Sequence, residues 1–179
     1  MAGDAGGDQG DALMSSTSAT GKPHDDSTAS AHAAEIRDLP SIGRIGPRAD
    51  DVDAPYWEGL RNGELRIQRC AECRTWWWFP LWRCGECGSW EFGWEAIPPR
   101  GVVHSWIRTH QAFLPEMASL VPYVNVLVEL PDAGNRRLLG LLVGDETGLA
   151  IGSKVVGVIQ QPSPATNDQA VLRWRLAGC

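Results

Sequence analysis

The sequence predicts a mainly β protein in which a short helix and a four-cysteine ribbon precede a small five-stranded barrel. Two Cys-x-x-Cys motifs at residues 70–73 and 84–87 predict the ribbon, because such pairs close on one metal ion. Five later segments alternate apolar and polar residues, as strands with one buried face do. We therefore divide the chain of 179 residues into a leader and connector over 1–49, a helix and ribbon over 50–97, and a barrel over 98–179.

The acidic residues are concentrated in the leader. Residues 1–54 hold four Lys/Arg against ten Asp/Glu, whereas residues 55–179 hold twelve of each. The leader is rich in Gly, Ala, Ser and Asp without apolar periodicity, a composition that predicts disorder. The balanced charge of the remainder offers no basic surface for a polyanion, so a nucleic-acid partner is not favoured.

The short helix is predicted over residues 53–60, where Asp53 and Pro55 stand at the first turn and apolar residues follow at helical spacing. Residues 64–69 alternate as a strand that leads into the first cysteine motif. Residues 89–95 alternate aromatic and acidic side chains and are predicted to be the closing strand of the ribbon.

The four cysteines of the motifs, Cys70, Cys73, Cys84 and Cys87, predict one structural zinc ion in a rubredoxin-like ribbon. Zinc takes four thiolates at about 2.3 Å, and four protein ligands leave no open position for chemistry. Two disulfides, a redox dithiol and an iron centre that transfers electrons are alternatives, since iron accepts the same ligands. Thiols committed to metal favour a reducing cytoplasm, and no apolar run reaches membrane-spanning length.

The segment between the two motifs is unusually aromatic: Trp76, Trp77, Trp78, Phe79 and Trp82 stand within seven positions. A strand points successive side chains to opposite faces, so these aromatic side chains cannot all share one core. One set is expected to face outward, where it would contact either a partner or a neighbouring domain.

Five strands are predicted for the barrel, over residues 102–110, 123–130, 136–143, 154–160 and 171–176. Residues 131–135 read as a hairpin loop, and residues 111–122 as a loop or short helix. A five-stranded barrel with glycines at its bends is typical of the OB-fold.

The chain resembles the zinc-ribbon OB-fold family known as domain of unknown function 35. The resemblance rests on the order of Tyr56 to Leu60, the four cysteines, Phe79-Pro80, Gly101 to Val103, Pro122 to Val124, and Ile151 to Val155. It implies a non-catalytic companion of thiolase-superfamily enzymes, which include thiolases, acyltransferases, hydroxymethylglutaryl-CoA synthases and aldolases that shorten steroid side chains. Arg74 departs from the pattern, because a cysteine knuckle commonly has Gly there for a left-handed backbone, as Gly88 provides in the second knuckle.

The leading hypothesis is therefore an accessory subunit that binds a thiolase-like enzyme and helps form its acyl-CoA site, with no catalytic residue of its own. His104 and His110 lack an accompanying nucleophile motif. The alternative is a module that binds single-stranded nucleic acid through stacking aromatic residues. The residues predicted to contact the partner or the acyl-CoA are Trp76, Trp77, Trp78, Trp82, Arg136, Arg137 and Lys154.

Overall fold

The computed structural model describes residue 40 and residues 51–178, so the predicted leader and connector, apart from Pro40, lie outside the described residues. Helix α1 runs over Ala54–Arg61, with a proline in its first turn, and ends at Asn62. Gly63 follows with a φ of 78°, a left-handed conformation that turns the chain toward the first strand. The helix buries Tyr56, Gly59 and Leu60.

The ribbon is a three-stranded antiparallel sheet. Its strands are β1 (Leu65–Cys70), β2 (Trp76–Trp77) and β3 (Phe92–Ile97), in the order β2-β1-β3. The closing strand therefore begins three residues later than predicted. The reason is a local turn: the N–H of Glu91 donates to the hydroxyl oxygen of Ser89 at 3.0 Å, which keeps residues 89–91 out of the ladder.

The second sheet has five antiparallel strands, β4 (Arg100–Thr109), β5 (Tyr123–Leu130), β6 (Arg136–Leu141), β7 (Lys154–Gln160) and β8 (Val171–Leu176). The bounds of β5, β7 and β8 are those predicted. The strand order is β6-β5-β4-β7-β8. Strand β5 alternates half-buried and fully buried side chains along its whole length, because one of its faces covers the core. Residues 111–122 form a loop with one 3-10 turn at Pro115–Met117.

The five-stranded sheet curls until its two edge strands meet. Leu142, just after β6, forms a parallel bridge with Trp174 of β8, and the N–H of Val143 donates to the carbonyl oxygen of Trp174 at 2.8 Å. Within residues 51–178 no continuous ladder joins these edges, so the OB-like barrel is not fully closed. Gly140 permits the approach, because a Cβ there would lie 2.6 Å from Cδ1 of Trp174.

One continuous apolar core connects the two sheets. It includes Leu60 of α1, Ile67 of β1 and Ile97 at the end of β3, and it continues through Val126 of β5 to Trp174. The predicted fold class is confirmed, whereas the division at residue 97 stays a prediction. Among the described residues, no helix has the length and apolar character needed to cross a membrane.

Candidate metal centre and aromatic surface

The four cysteine sulfurs of the two motifs converge on one point. All four Sγ atoms lie within 4.8 Å of one another, with 3.6 Å between Cys70 and Cys87 and 3.6 Å between Cys73 and Cys84. A tetrahedral zinc ion with bonds of about 2.3 Å holds its sulfurs about 3.8 Å apart, whereas a disulfide needs about 2.0 Å. The cysteines therefore fit one tetrahedral metal ion.

The two knuckles present their cysteines through matching backbone turns. In the first, the N–H of Cys70 donates to the carbonyl oxygen of Thr75 at 2.9 Å; in the second, the N–H of Cys84 donates to Ser89 at 2.8 Å. The first cysteine of each knuckle is buried and the second is exposed. This repetition brings two sulfurs from each turn to opposite sides of the same site.

Each knuckle contains one residue with a left-handed backbone conformation, and the two knuckles use different residue types at that position. Gly88 has a φ of 77°, whereas Arg74 has a φ of 61°. A side chain in this conformation costs roughly 1–2 kcal/mol. Arg74 offsets part of that cost, because its guanidinium pairs with Glu95 on β3, which also pairs with Arg69 of β1 at 3.0 Å.

The local hydrogen bonds prepare two of the thiols to ionise. Burial acts to raise the pKa of Cys84, but the backbone N–H groups of Cys87 and Glu86 outweigh it and lower that pKa to about 6. Hydrogen bonds from the hydroxyl and the N–H of Thr75 lower the pKa of Cys73. Thiolates are the form that binds zinc, so these donors favour the metal-binding form of Cys73 and Cys84.

A column of aromatic rings leads from α1 to the surface of the ribbon. Ring centroids are 5.1 Å apart between Trp57 and Tyr56, 4.8 Å between Tyr56 and Trp78, and 5.4 Å between Trp78 and Phe79. Tyr56 lies in the core, where burial and then the charge of Asp53 raise its pKa. The last ring, Phe79, is 76% exposed, so the column ends in a supported aromatic surface residue.

The buried side chain of Gln68 holds the aromatic segment in place. Its amide oxygen accepts the N–H of Leu81 at 2.8 Å, and its amide nitrogen donates to the carbonyl oxygen of Leu81 at 2.9 Å. This pair of bonds imitates one step of a strand ladder, although no strand of the described chain includes Leu81. The backbone that carries Phe79 and Trp82 is therefore fixed to β1.

Three of the predicted contact residues pack within the chain. The guanidinium of Arg69 lies over Trp76 at 4.6 Å, that of Arg136 lies over Trp77 at 5.0 Å, and Trp78 belongs to the aromatic column. All three tryptophans are half-buried.

The exposed aromatic residues of the ribbon form a different set, Phe79, Trp82 and Trp90, with exposed fractions of 76%, 64% and 68%. We call this set the aromatic surface. Sequence reasoning named only Trp82 as a site residue. The signal for Trp90 is its position, because Trp82 and Trp90 flank the second cysteine motif two and three residues away.

The predicted cations are not gathered into one cluster. Arg136 covers Trp77, whereas Arg137 lies 3.4 Å from Glu129 of β5. Lys154 is in the same cross-strand row as Arg137, but β4 and β5 lie between them. Three strand spacings separate the two residues by about 14 Å. A ligand that meets both must therefore extend across the sheet.

The comparisons with known proteins match this architecture. Residues 57–92 match the family profile described as "ChsH2, rubredoxin-like zinc ribbon domain". Residues 94–160 match "ChsH2, C-terminal OB-fold domain", so the two profiles together cover more than half of the chain. The chain belongs to the ChsH2 family. The resemblance to domain of unknown function 35 and the zinc cofactor predicted from the sequence are thereby confirmed.

Solved structures extend the ChsH2 comparison. The chain is 31% identical to a chain of the structure described as "Ltp2-ChsH2(DUF35) aldolase", with a TM-score of 0.62 over 78% of this chain and 99% of that chain. A DUF35 protein of unknown function from Sulfolobus solfataricus is 16% identical, with a TM-score of 0.51 over 86% of this chain and 98% of its own. At that identity the second likeness shows the fold alone.

A curated relative extends the comparison to a second named protein. The chain is 35% identical over 119 residues to a Thermomonospora curvata protein named "Probable enoyl-CoA hydratase alpha subunit". The match covers 65% of this chain but 36% of the relative. The chain therefore spans about a third of the length of that curated protein.

Proposed function

We propose that this chain is an accessory subunit of an acyl-CoA-handling complex, in which it binds a thiolase-like enzyme and helps form the acyl-CoA site without catalytic groups of its own. The observation that carries the proposal is the 31% identity over 99% of a chain in the Ltp2-ChsH2 aldolase structure. The printed names of this structure and of the hydratase relative both describe a subunit of an enzyme complex.

The names of the two relatives point to one class of substrate. Hydration of a 2-enoyl thioester yields a 3-hydroxyacyl thioester. An aldolase that works in the retro-aldol direction breaks the C2–C3 bond of such a thioester. We therefore propose that the partner acts on a 3-hydroxyacyl-CoA, of which a steroid side-chain thioester is one example. The reducing cytoplasm is the proposed location, because the site needs its cysteines as thiolates.

The geometry of the metal centre supports an accessory role. The four cysteines would fill all four positions of a tetrahedral ion, so a bound ion would keep no vacancy for water or substrate and would brace the ribbon. The aromatic surface consists of Trp and Phe on the same ribbon, and aromatic residues are enriched where partners bind. We propose that Trp82, Phe79 and Trp90 contact the partner, while Trp76, Trp77 and Trp78 support them.

Acyl-CoA contacts are proposed for Arg137 and Lys154, with Arg136 at the border of the ribbon. Guanidinium and ammonium groups bind the phosphates of CoA. Arg137 and Lys154 are both exposed, and their separation suits an extended ligand better than a single phosphate.

Co-expression with a thiolase-like protein from the same genome tests the proposal. We expect the two proteins to elute as one complex in size-exclusion chromatography with light scattering, and thioester cleavage to need both. Separate elution of the two folded proteins would overturn the proposed function.

Substitutions of the aromatic surface test where the partner binds. Trp82→Ala combined with Phe79→Ala is expected to weaken the complex at least tenfold, since truncating interface aromatics commonly costs 2 kcal/mol or more. Ile151→Ala is the matched control, because Ile151 is 73% exposed but lies outside the ribbon. Equal affinities for the two variants would contradict the assignment of this surface.

A further inference from the structure

Arg173 of β8 is a charged side chain that lies almost entirely out of the solvent. Its neighbours in the strand, Leu172 and Trp174, belong to the apolar core. Successive side chains of a strand point to opposite faces, so Arg173 points to the outer face of the barrel. It is nevertheless only 5% exposed. Charged side chains are rarely buried without partners, so the outer face must offer this guanidinium both cover and acceptors.

Two contacts show how the guanidinium of Arg173 is held. Its Nε–H donates to the side-chain oxygen of Gln160 at 2.9 Å, and Gln160, at the end of β7, is itself buried. Its Nη2 group donates to the carbonyl oxygen of Pro40 at 2.9 Å, although Pro40 lies 133 positions earlier in the chain. A guanidinium is a rigid, planar group, so Gln160 fixes the direction in which the Nη2 group meets its acceptor.

The surroundings of this contact are apolar. Val158 is directly opposite Arg173 in the β7–β8 ladder. It packs against Leu141 and Val143, which are each 7% exposed and form a second apolar cluster apart from the main core. A hydrogen bond in such surroundings competes with little water and is therefore stronger than one at an open surface. A segment held by Arg173 thus lies where apolar burial and a hydrogen bond act together.

Pro40 is chemically suited to this position. A proline has no backbone N–H, so it offers its carbonyl oxygen without a donor that would itself need a partner in apolar surroundings. Its fixed φ also reduces the conformational entropy that is lost when the segment is held. Pro40 is half-buried, in agreement with a residue that lies against the barrel.

We infer that Arg173 and Gln160 form a binding site for main-chain carbonyl groups on the outer face of the barrel, and that its occupant is the connector of this same chain, held through Pro40. The inference goes beyond the proposed function and does not depend on it, since it needs no second protein. It places the start of the folded unit at or ahead of Pro40, at least ten residues before the boundary at residue 50 that the sequence predicts.

Two trypsin sites flank Pro40 and make the inference testable in the full chain. Arg37 lies three positions before Pro40 and Arg44 lies four positions after it. The zinc-loaded protein and a synthetic peptide of residues 33–50 are treated with trypsin, and cleavage after each arginine is followed by mass spectrometry. We expect cleavage after Arg44 to be at least tenfold slower in the protein, because a held segment must first leave the barrel. Equal rates in the protein and the peptide would overturn the inference.

A pair of matched variants shows whether Arg173 is the cause of the protection. Arg173→Met removes the guanidinium but keeps an unbranched apolar side chain, and Arg175→Met is the control two positions along the same face of β8. We expect Arg173→Met to accelerate cleavage after Arg44 at least tenfold and Arg175→Met less than twofold. Zinc content and hydrogen exchange of β5 show that both variants are folded.

Protection that is the same in the wild type and in folded Arg173→Met would overturn the inference, because another surface would then hold the connector. Equal acceleration by the two variants would overturn it as well. If Arg173→Met does not fold, Gln160→Met takes its place. This variant leaves the guanidinium without its support, and we expect it to accelerate cleavage after Arg44 at least threefold. No acceleration in a folded Gln160→Met variant would contradict the site.

Discussion

The ribbon and the barrel hold their strands together in different ways. The ribbon has strands of six, two and six residues, and its turns are fixed by two cysteine knuckles that meet at one metal site. The barrel has five strands, and β5 alone contributes four fully buried side chains to the core. Because the two regions share one apolar core, the comparison predicts that the short sheet needs a metal ion in addition to apolar burial, whereas the longer sheet relies on apolar burial alone.

The sharpest test of this comparison is to remove one ligand. Cys84→Ser is expected to abolish stoichiometric zinc and to cost several kcal/mol, because structural zinc contributes about 10–16 kcal/mol to the folding of small zinc peptides. Zinc content and hydrogen exchange measure the outcome: protection should vanish across residues 70–91 while β5 stays protected.

The counterpart in the barrel is Leu130→Ala, at a position that is 0% exposed. It is expected to cost about 2–5 kcal/mol and to leave the zinc content at one ion per chain. If Leu130→Ala released zinc as Cys84→Ser does, the two regions would not be stabilised separately.

A smaller effect distinguishes the two knuckles. Gly88→Ala places a side chain at a φ of 77° and is expected to cost about 1–2 kcal/mol of unfolding free energy. Arg74→Gly relieves the same conformation in the first knuckle but removes the pair with Glu95, so a net change below about 1 kcal/mol is expected. Chemical denaturation of both zinc-loaded variants measures the difference. Equal losses of unfolding free energy in the two variants would show that the left-handed residues do not account for the difference between the knuckles.

The smallest expected effect concerns the carboxylate that links the first knuckle to β3. Burial acts to raise the pKa of Glu95, but hydrogen bonds from Arg69 and then Arg74 outweigh it and lower that pKa. The stability that Glu95 contributes is therefore fully present above its unfolded pKa of about 4.3 and is lost as the pH falls through the lower folded value.

Replacing this carboxylate by Glu95→Gln should cost less than about 1 kcal/mol at pH 7, because the pair is partly exposed, and the cost should shrink as the pH falls toward the lowered folded pKa of Glu95. Glu91→Gln, just before β3, is the control and should leave stability unchanged over the same pH range. A cost of Glu95→Gln that does not change as the pH is lowered would rule out the ion pair as its source.

The sequence was most informative where spacing or alternation alone determines structure. Four cysteines at fixed intervals predicted the metal centre, and the alternation of Tyr123–Leu130 predicted the bounds of β5. Both patterns are local, so they can be read without knowledge of neighbouring elements. The left-handed backbone of Arg74 was likewise predictable from the position of Gly88 in the second knuckle.

The features that escaped prediction depend on contacts between distant residues. The alternation rule could not tell that Trp76 and Trp77 are both half-buried, because each ring is partly covered by a guanidinium from another strand, that of Arg69 or Arg136. The pair of hydrogen bonds between Gln68 and Leu81 joins residues thirteen positions apart and follows from no sequence pattern. The alternation of β4 also does not reveal where its pairing with β7 ends. Side-chain alternation shows which face of the sheet a residue lies on, but not which strands are hydrogen-bonded along its edges.

The apolar core runs without interruption from Leu60 through Ile97 to Trp174. A cut at residue 97 would leave two fragments. Each fragment would expose apolar surface that the other covers in the intact chain. The smallest unit that keeps this core covered therefore includes residues 51–178 together with Pro40, whose carbonyl oxygen accepts a hydrogen bond from Arg173 at 2.9 Å. In a longer protein, a hinge to a preceding domain would leave this unit intact if it lay ahead of Pro40.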